Sequence, residues 1–364
     1  MIRLLIVDDS ALMRRQMAEV FRSEGDFEIQ LARNGVEALQ ANLDFQPDVI
    51  TLDINMPEMD GLTALSRLML ERPVPVVMVS SLTEQGALAT FEALNLGAVD
   101  YVPKPGGTIS LTIGTIRNEL VAKVRSAAAA HLKAPRARTA APYGNRAREL
   151  VQQLRDQKKK AAEERVLLRQ SIVGTGLVLI GVSTGGPRTL EEVLPELPVD
   201  FAWPVLVAQH MPQSFTKSFA DRLDQLCALR VVEASAPLAL EPGTIYLGMG
   251  GADMVLSMRG GKLTVLPKPE SPAHLWHPSV ELLGRSALEQ CDPTKVIGVM
   301  LTGMGNDGSQ AFTEIHRRGG RTIAESEGSA VVFGMPKELI ELGGATVVLP
   351  AERVVAQILS WVGR

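Results

Sequence analysis

Short apolar runs at Leu4–Val7, Val49–Leu52, Val76–Val79 and Val99–Val102 alternate with helix-compatible stretches at Ala11–Phe21, Gly35–Leu43, Leu62–Leu70 and Gly86–Leu94. That alternation predicts βα units, and runs rich in β-branched residues predict strands buried on both faces, hence a parallel sheet with helices on each side. The pattern returns further on. Strands are expected at Val178–Val182, Val205–Ala208, Val296–Leu301 and Thr322–Ala324, and helices at Phe215–Leu226, Ser279–Leu288 and Ser309–Arg318. Glycine-rich turns between Glu241 and Leu266 predict an antiparallel hairpin inserted in this second half.

The segment between the two halves differs from both. Residues 1–122 carry nine basic and 17 acidic side chains, residues 171–364 carry 15 and 20, and residues 123–170 carry 13 and four. The basic segment holds an alanine run at Ala127–Ala130, the pairs Ala134-Pro135 and Ala141-Pro142, and Lys158-Lys159-Lys160, a composition that reads as a solvated linker. At 364 residues, the chain divides into domains at 1–122 and 171–364 joined by residues 123–170. Tyr143 is the linker's only aromatic residue, and the acidic second domain has no basic recognition helix, so no nucleic-acid partner is expected. The two cysteines, Cys227 and Cys291, form no CxxC pair, which argues against a disulfide framework or structural zinc. The N-terminal apolar run meets Asp8-Asp9 too early for a signal peptide, and the longest uncharged stretch, Ser171–Pro187, is too short and glycine-rich to span a bilayer. A cytoplasmic protein without direct membrane insertion is expected.

In parallel sheets, functional groups gather where strands end. Asp8 and Asp9 follow the first run, Asp53 follows Val49–Leu52, Ser80 follows Val76–Val79, and Tyr101 and Lys104 close the last. Singly, these are caps and turns. Converging at one edge, three carboxylates repel one another unless a cation sits among them, and hard oxygen donors favour Mg²⁺. A carboxylate beside Mg²⁺ can attack phosphorus while a lysine and a hydroxyl stabilise the phosphoryl oxygens, which makes Asp53 the candidate phosphoacceptor.

In the second half, Gly181-Val182-Ser183-Thr184-Gly185-Gly186-Pro187 follows a strand and leads into a helix with proline in its first turn, the pattern of a nucleophile elbow. A phosphate-binding loop is the rival, but Pro187 and Arg188 stand where its lysine and hydroxyl belong. Of five histidines, His210 ends the run Val205–Gln209 and is favoured as base, with His277 the alternative; His274 and His277 lack a third metal ligand nearby, His316 falls in a charged helix, and His131 lies in the linker. Asp307 follows Val296–Leu301 and supplies a third group to orient the histidine. The same loop reads GxGxxG at Gly303, Gly305 and Gly308, with Glu325 after the next strand, so a dinucleotide-binding oxidoreductase is the alternative. Asp307 opposes it, because its charge would repel a pyrophosphate but attract an imidazolium.

Through IVDDS, LDINMPEMDG, VMVSS and DYVPKP, residues 1–122 resemble a response-regulator receiver domain; through GVSTGGP, QHMP, HPSVELL and LTGMGNDG, the second half resembles the chemotaxis protein-glutamate methylesterase (CheB) family. The resemblance implies a flavodoxin-like (βα)5 receiver and a doubly wound, mostly parallel α/β domain with an antiparallel hairpin. It implies Mg²⁺ on Asp9, Asp53 and the backbone carbonyl of Asn55 with Asp8 in the pocket, phosphate on Asp53, and Ser80, Tyr101 and Lys104 as switch residues. A chemotaxis histidine kinase would donate that phosphate. The esterase would need no cofactor: Ser183, His210 and Asp307 would hydrolyse glutamyl methyl esters on methyl-accepting chemotaxis receptors, with backbone N–H groups near Met304 and Thr184 holding the oxyanion. Receptor glutamines would be deamidated by the same chemistry. An unphosphorylated receiver is expected to restrain the esterase.

Overall fold

A computed structural model describes residues 1–80, 84–104, 109–130 and 176–363. The chain forms two compact units, Met1–Arg136 and Ala137–Arg364.

In the first unit, strands β1 (Ile2–Val7), β2 (Phe27–Ala32), β3 (Val49–Asp53), β4 (Val76–Ser80) and β5 (Asp100–Pro103) form a parallel sheet in the order β2-β1-β3-β4-β5. Leu4, Leu5, Ile6, Ile50, Leu52, Val76, Val77 and Met78 are fully buried, as strands covered on both faces require. The covering helices are α1 (Ala11–Glu24), α2 (Gly35–Asp44), α3 (Gly61–Glu71), α4 (Glu84–Leu96) and α5 (Ile109–Ala128). Polar residues just past strands or turns start them: Ser10, Asn34 and Asp60 accept the N–H of Met13, Glu37 and Thr63. Strand β2 has no apolar run because it lies at the sheet edge, where its middle residues are half-buried or exposed.

The expected start of the linker at residue 123 cuts through α5. Leu120, Val121, Val124 and Ala127 bury one face at helical spacing, and Lys123 is buried among them. Its ammonium donates to the Tyr101 carbonyl at 2.8 Å and pairs with Asp100 and Glu119 at 3.3 and 3.1 Å, which offsets its desolvation. Charge counting assigned to the linker a cation that belongs to a core. Residues 131–170 of the expected linker, including His131, lie outside the described residues.

The second unit carries a seven-stranded parallel sheet ordered β15-β14-β13-β6-β7-β10-β8. Its strands are β6 (Leu177–Val182), β7 (Val205–Gln209), β8 (Arg230–Ala234), β10 (Thr244–Gly248), β13 (Val296–Met300), β14 (Arg321–Glu325) and β15 (Val347–Leu349). The hairpin of β11 (Ala252–Arg259) and β12 (Lys262–Pro269), with β9 (Leu238–Ala239), makes a separate antiparallel sheet. Thr244–Gly248 therefore belongs to the parallel sheet, beside Val205–Val207, and the hairpin begins only after it. Helices α6 (Gly186–Val193), α7 (Gln213–Leu226), α8 (Val280–Gln290), α9 (Ser309–Arg317), α10 (Met335–Glu341) and α11 (Val354–Val362) complete this unit. Among the described residues, no helix is long and apolar enough to cross a membrane.

The close approach of α3 to β3 tests the first unit's packing. A Cβ on Gly61 would lie 2.0 Å from the Asp53 carbonyl oxygen, which is backbone and cannot swing away, whereas one on Gly25 meets nothing within 4 Å and is opposed only by its φ of 80°. In urea titrations of the full chain, Gly61→Ala should lower the stability of the receiver transition by about 2–4 kcal/mol and Gly25→Ala by about 1. Equal losses would contradict this packing.

Candidate functional site

In the first unit, the ends of β1 and β3 bring Asp8, Asp9 and Asp53 together, with one carboxylate oxygen from each within 4.8 Å of the others. Asp8 and Asp53 are buried, and Asp9 is exposed. Lys104, just past β5, reaches in and pairs with Asp8 Oδ2 at 3.0 Å and Asp53 Oδ2 at 2.7 Å. The Asp53 carboxyl is raised to about 6: burial and the nearby Asp8 push it up, and Lys104 and the Asn55 N–H pull it down by less. Beyond the Lys104 ammonium, Asp8 Oδ2 and Asp53 Oδ2 have no hydrogen-bond partner among the described residues. One ammonium facing three carboxylates leaves negative charge uncompensated on hard oxygen donors, which fits a divalent cation. Ser80 ends β4 and Tyr101 lies inside β5, opposite Met78; both are buried, and the Ser80 hydroxyl donates to the Gly86 carbonyl at 3.2 Å.

In the second unit, Ser183 follows β6 in a turn that Gly185 closes with φ of 77°, and α6 starts at Gly186. His210 follows the adjacent strand β7. Val182 pairs with Gln209 in the sheet register, and the His210 N–H donates to the Val182 carbonyl at 3.1 Å, so Ser183 and His210 emerge side by side. Strand β13 pairs with β6 on the other side and leads to Asp307. The Asp307 Oδ2 lies 2.8 Å from His210 Nε2. The other ring nitrogen, Nδ1, is buried without a hydrogen-bond partner among the described residues. The Nε2–H tautomer follows, with Nδ1 as the open acceptor.

Asp307 has three further donors: Ser279 Oγ at 3.0 Å, the Val280 N–H at 2.7 Å and the Glu281 N–H at 3.0 Å. Burial pushes its carboxyl up, but the His210 hydrogen bond and charge and the two N–H groups at the start of α8 outweigh that and hold it below the usual carboxylate range. Next to the site, Gly303 leaves no room for a side chain: a Cβ there would lie 2.7 Å from the Ser183 Cβ. Met304 follows Gly303 in this loop, and its N–H has no acceptor among the described residues. Thr184, buried in the same turn, accepts from Thr302 Oγ1 at 2.8 Å through its carbonyl.

Several residues outside the predicted set hold this arrangement. Gln209 Nε2 donates to the carbonyls of Ser183 and His210, tying the two turns together. Fully buried Glu325 accepts the Thr302 N–H at 2.7 Å and the Ser329 hydroxyl at 2.8 Å. The oxidoreductase reading fails here: Glu325 faces the interior, and the GxGxxG loop places Asp307 on His210. His277 pairs through Nδ1 with Asp253 at 2.8 Å, and its neighbour Trp276 stacks on the His210 ring. Only the HPSVELL motif hinted at these contacts, because they arrive from a loop beyond the hairpin rather than from a strand end.

The acidic pocket on a five-stranded parallel sheet defines the first unit as a receiver, and a serine turn beside an aspartate-held histidine defines the second as a hydrolase-type output domain. Residues 4–113 match the response regulator receiver domain family, and residues 178–358 match CheB methylesterase. The protein-glutamate methylesterase/protein-glutamine glutaminase 3 of Rhodospirillum rubrum is 54% identical, covering 100% of this chain and 97% of that one. Protein 2 of the same name from Rhodopseudomonas palustris is 52% identical, covering 99% and 98%. The crystal structure of the Thermotoga maritima CheB methylesterase catalytic domain, 39% identical, matches with a TM-score of 0.50 over 52% of this chain and 99% of that one. The chain belongs to the protein-glutamate methylesterase/protein-glutamine glutaminase family.

Because the folded Asp307 carboxyl sits below its ordinary value, the stability it contributes is complete above about pH 5, where the unfolded chain's carboxyl near 3.9 is also ionised. It is lost as pH falls through the depressed folded value. Urea midpoints of the second unit should decline as pH falls below about 5, and Asp307→Asn should be less stable at pH 6 with a shallower decline. Parallel curves for the two proteins would contradict this.

Proposed function

We propose that this chain is a phosphorylation-regulated esterase that hydrolyses glutamyl methyl esters on methyl-accepting chemotaxis receptors, with Ser183 as nucleophile. The group transferred to the enzyme is the γ-glutamyl acyl group of the receptor ester. Ser183 Oγ attacks the ester carbonyl carbon while its proton passes to His210 Nδ1, and Asp307 stabilises the resulting imidazolium through Nε2. Backbone N–H groups at Met304 and Thr184 hold the developing oxyanion, a contribution of about 10²–10³ in rate for each donor. Return of the proton to the methoxy oxygen releases methanol. Water, deprotonated by His210, then attacks the glutamyl-serine ester and regenerates Ser183 with a glutamate product. A glutamine side chain presents the same acyl group with ammonia as leaving group, so deamidation uses the same residues.

The observation that carries this reading is the division of the His210 ring: one nitrogen is bonded to a buried carboxylate, and the other is buried and unpartnered one strand away from Ser183. His277 is paired in the same way with Asp253, so the preference for His210 rests on its place at the end of β7 beside the Ser183 turn.

In the receiver, Asp53 takes the phosphoryl group from a chemotaxis histidine kinase in the cytoplasm. Asp8, Asp9, Asp53 and the Asn55 carbonyl would hold Mg²⁺, which supplies charge neutralisation for phosphoryl transfer. Lys104 and Ser80 bind the phosphoryl oxygens, and Ser80 and Tyr101 carry the change outward to relieve restraint on the esterase.

Mass spectrometry of methylated receptor fragments, together with methanol assays, tests these roles. Ser183→Ala should lose methanol release by at least about 10³-fold yet still acquire phosphate at Asp53, and His210→Ala should lose far more activity than His277→Ala. Asp53→Asn should show no phosphate-dependent rise in rate. Chelation of Mg²⁺ should abolish phosphorylation while leaving unstimulated methanol release intact. Release retained by Ser183→Ala, or a larger loss in His277→Ala than in His210→Ala, would overturn the assignment.

A further inference from the structure

His210 is gripped by Asp307 at one edge and has no hydrogen bond at Nδ1, so hydrogen bonding alone leaves its ring free to rock about the Nε2···Oδ2 contact. The indole of Trp276 packs against that ring. It lies parallel to the imidazole, with ring centroids 5.5 Å apart and planes 10° apart, an offset stack. The loop carrying Trp276 is itself fixed. Asp253, 1% exposed, accepts the Ser271 N–H at 3.1 Å, the Ser279 N–H at 2.9 Å and the His277 ring at 2.8 Å, so one buried carboxylate ties both ends of the loop. A Cβ at Gly305 would lie 3.7 Å from Trp276 Nε1, so the loop before Asp307 closes against the indole edge.

We infer that Trp276 is a positioning residue for His210, holding the imidazole plane and favouring its protonated form during ester hydrolysis. This rests on the reading of His210 as the base. An aromatic face attracts a cation more than a neutral ring, so the indole contributes most when His210 has taken the serine proton. Asp307 attracts the same cation from the ring edge, and Trp276 adds attraction from the face. Among the described residues, Asp307 is the one charged group bonded to the ring. The Ser183–Pro187 turn has no charged side chain, Asp307 is the only charged residue of the Thr302–Gly308 loop, and in the Trp276 loop His277 and His274 engage Asp253 and Ser279. Leu275, adjacent and 90% exposed, makes no such stack, which singles out Trp276 within the loop.

The test compares full-length wild type, Trp276→Leu, which keeps apolar bulk without a π face, and Trp276→Phe, which keeps the face. Two quantities are read: the pH at which His210 titrates, from NMR of histidine-labelled resting protein, and kcat and KM for methanol release. Trp276→Leu should titrate about half to one pH unit lower and lose roughly five- to thirtyfold in kcat with KM within about twofold, and Trp276→Phe should recover most of both. If Trp276→Leu does not fold, Trp276→Met takes its place. Identical His210 titration in all three proteins, or a Phe variant as impaired as the Leu variant, would overturn the inference. A wild type that releases no methanol would overturn the base role instead, and the order of the three titrations would still decide whether the stack favours the cation.

Discussion

The second unit depends on one buried carboxylate. Asp307 accepts from an imidazole, a hydroxyl and two backbone N–H groups, and through them fixes His210, Ser279 and the first turn of α8. Burying a carboxylate costs several kcal/mol, and each charge-assisted hydrogen bond returns about 1.5–3. The carboxyl is held below its ordinary range, so the attractions win. The helix N-terminus matters to this balance, because its unpaired N–H groups favour negative charge. Capping a helix and orienting a histidine are thus one act. A residue that served catalysis alone would be easier to lose without consequence for the fold.

Both sites use the same geometric device and solve opposite charge problems with it. Parallel strands deliver their following residues to one edge of a sheet, so β1, β3, β4 and β5 converge in one unit as β6, β7 and β13 do in the other. In the receiver, the carboxylates outnumber the single Lys104 ammonium, so the pocket is poised for added cations and a phosphoryl group. In the output domain, the Asp307 carboxylate is satisfied by its own neighbours, and the open position is His210 Nδ1. One site is built to acquire charge from outside, and the other to generate and hold it for the length of a reaction.

What could be read in the sequence follows from the same rule. β-Branched runs ending in Asp8, Asp53, Ser183 or His210 announced both the sheets and their chemical edges, because period and position are local properties of the chain. Edge strands escaped, since Phe27–Ala32 buries only part of itself and has no such run. Thr244–Gly248 sits among glycine-rich turns and resembled hairpin, yet it pairs in parallel with β7 and β8. Lys123 counted as linker charge until Asp100 and Glu119, which neutralise it, were placed beside it. Asp253, Trp276, Gln209 and Glu325 act only through contacts formed in three dimensions, and no spacing pattern encodes those.

The central claim is that Ser183 is activated by His210, which Asp307 holds. Reaction of the full-length protein with an organophosphonate ester, which captures only a serine whose proton is being removed, examines that claim without a receptor. The account predicts a single covalent adduct, mapped by peptide mass spectrometry to Ser183, and its near-complete loss in His210→Ala and Asp307→Ala. An adduct on another residue, or undiminished labelling of Ser183 in those variants, would contradict it.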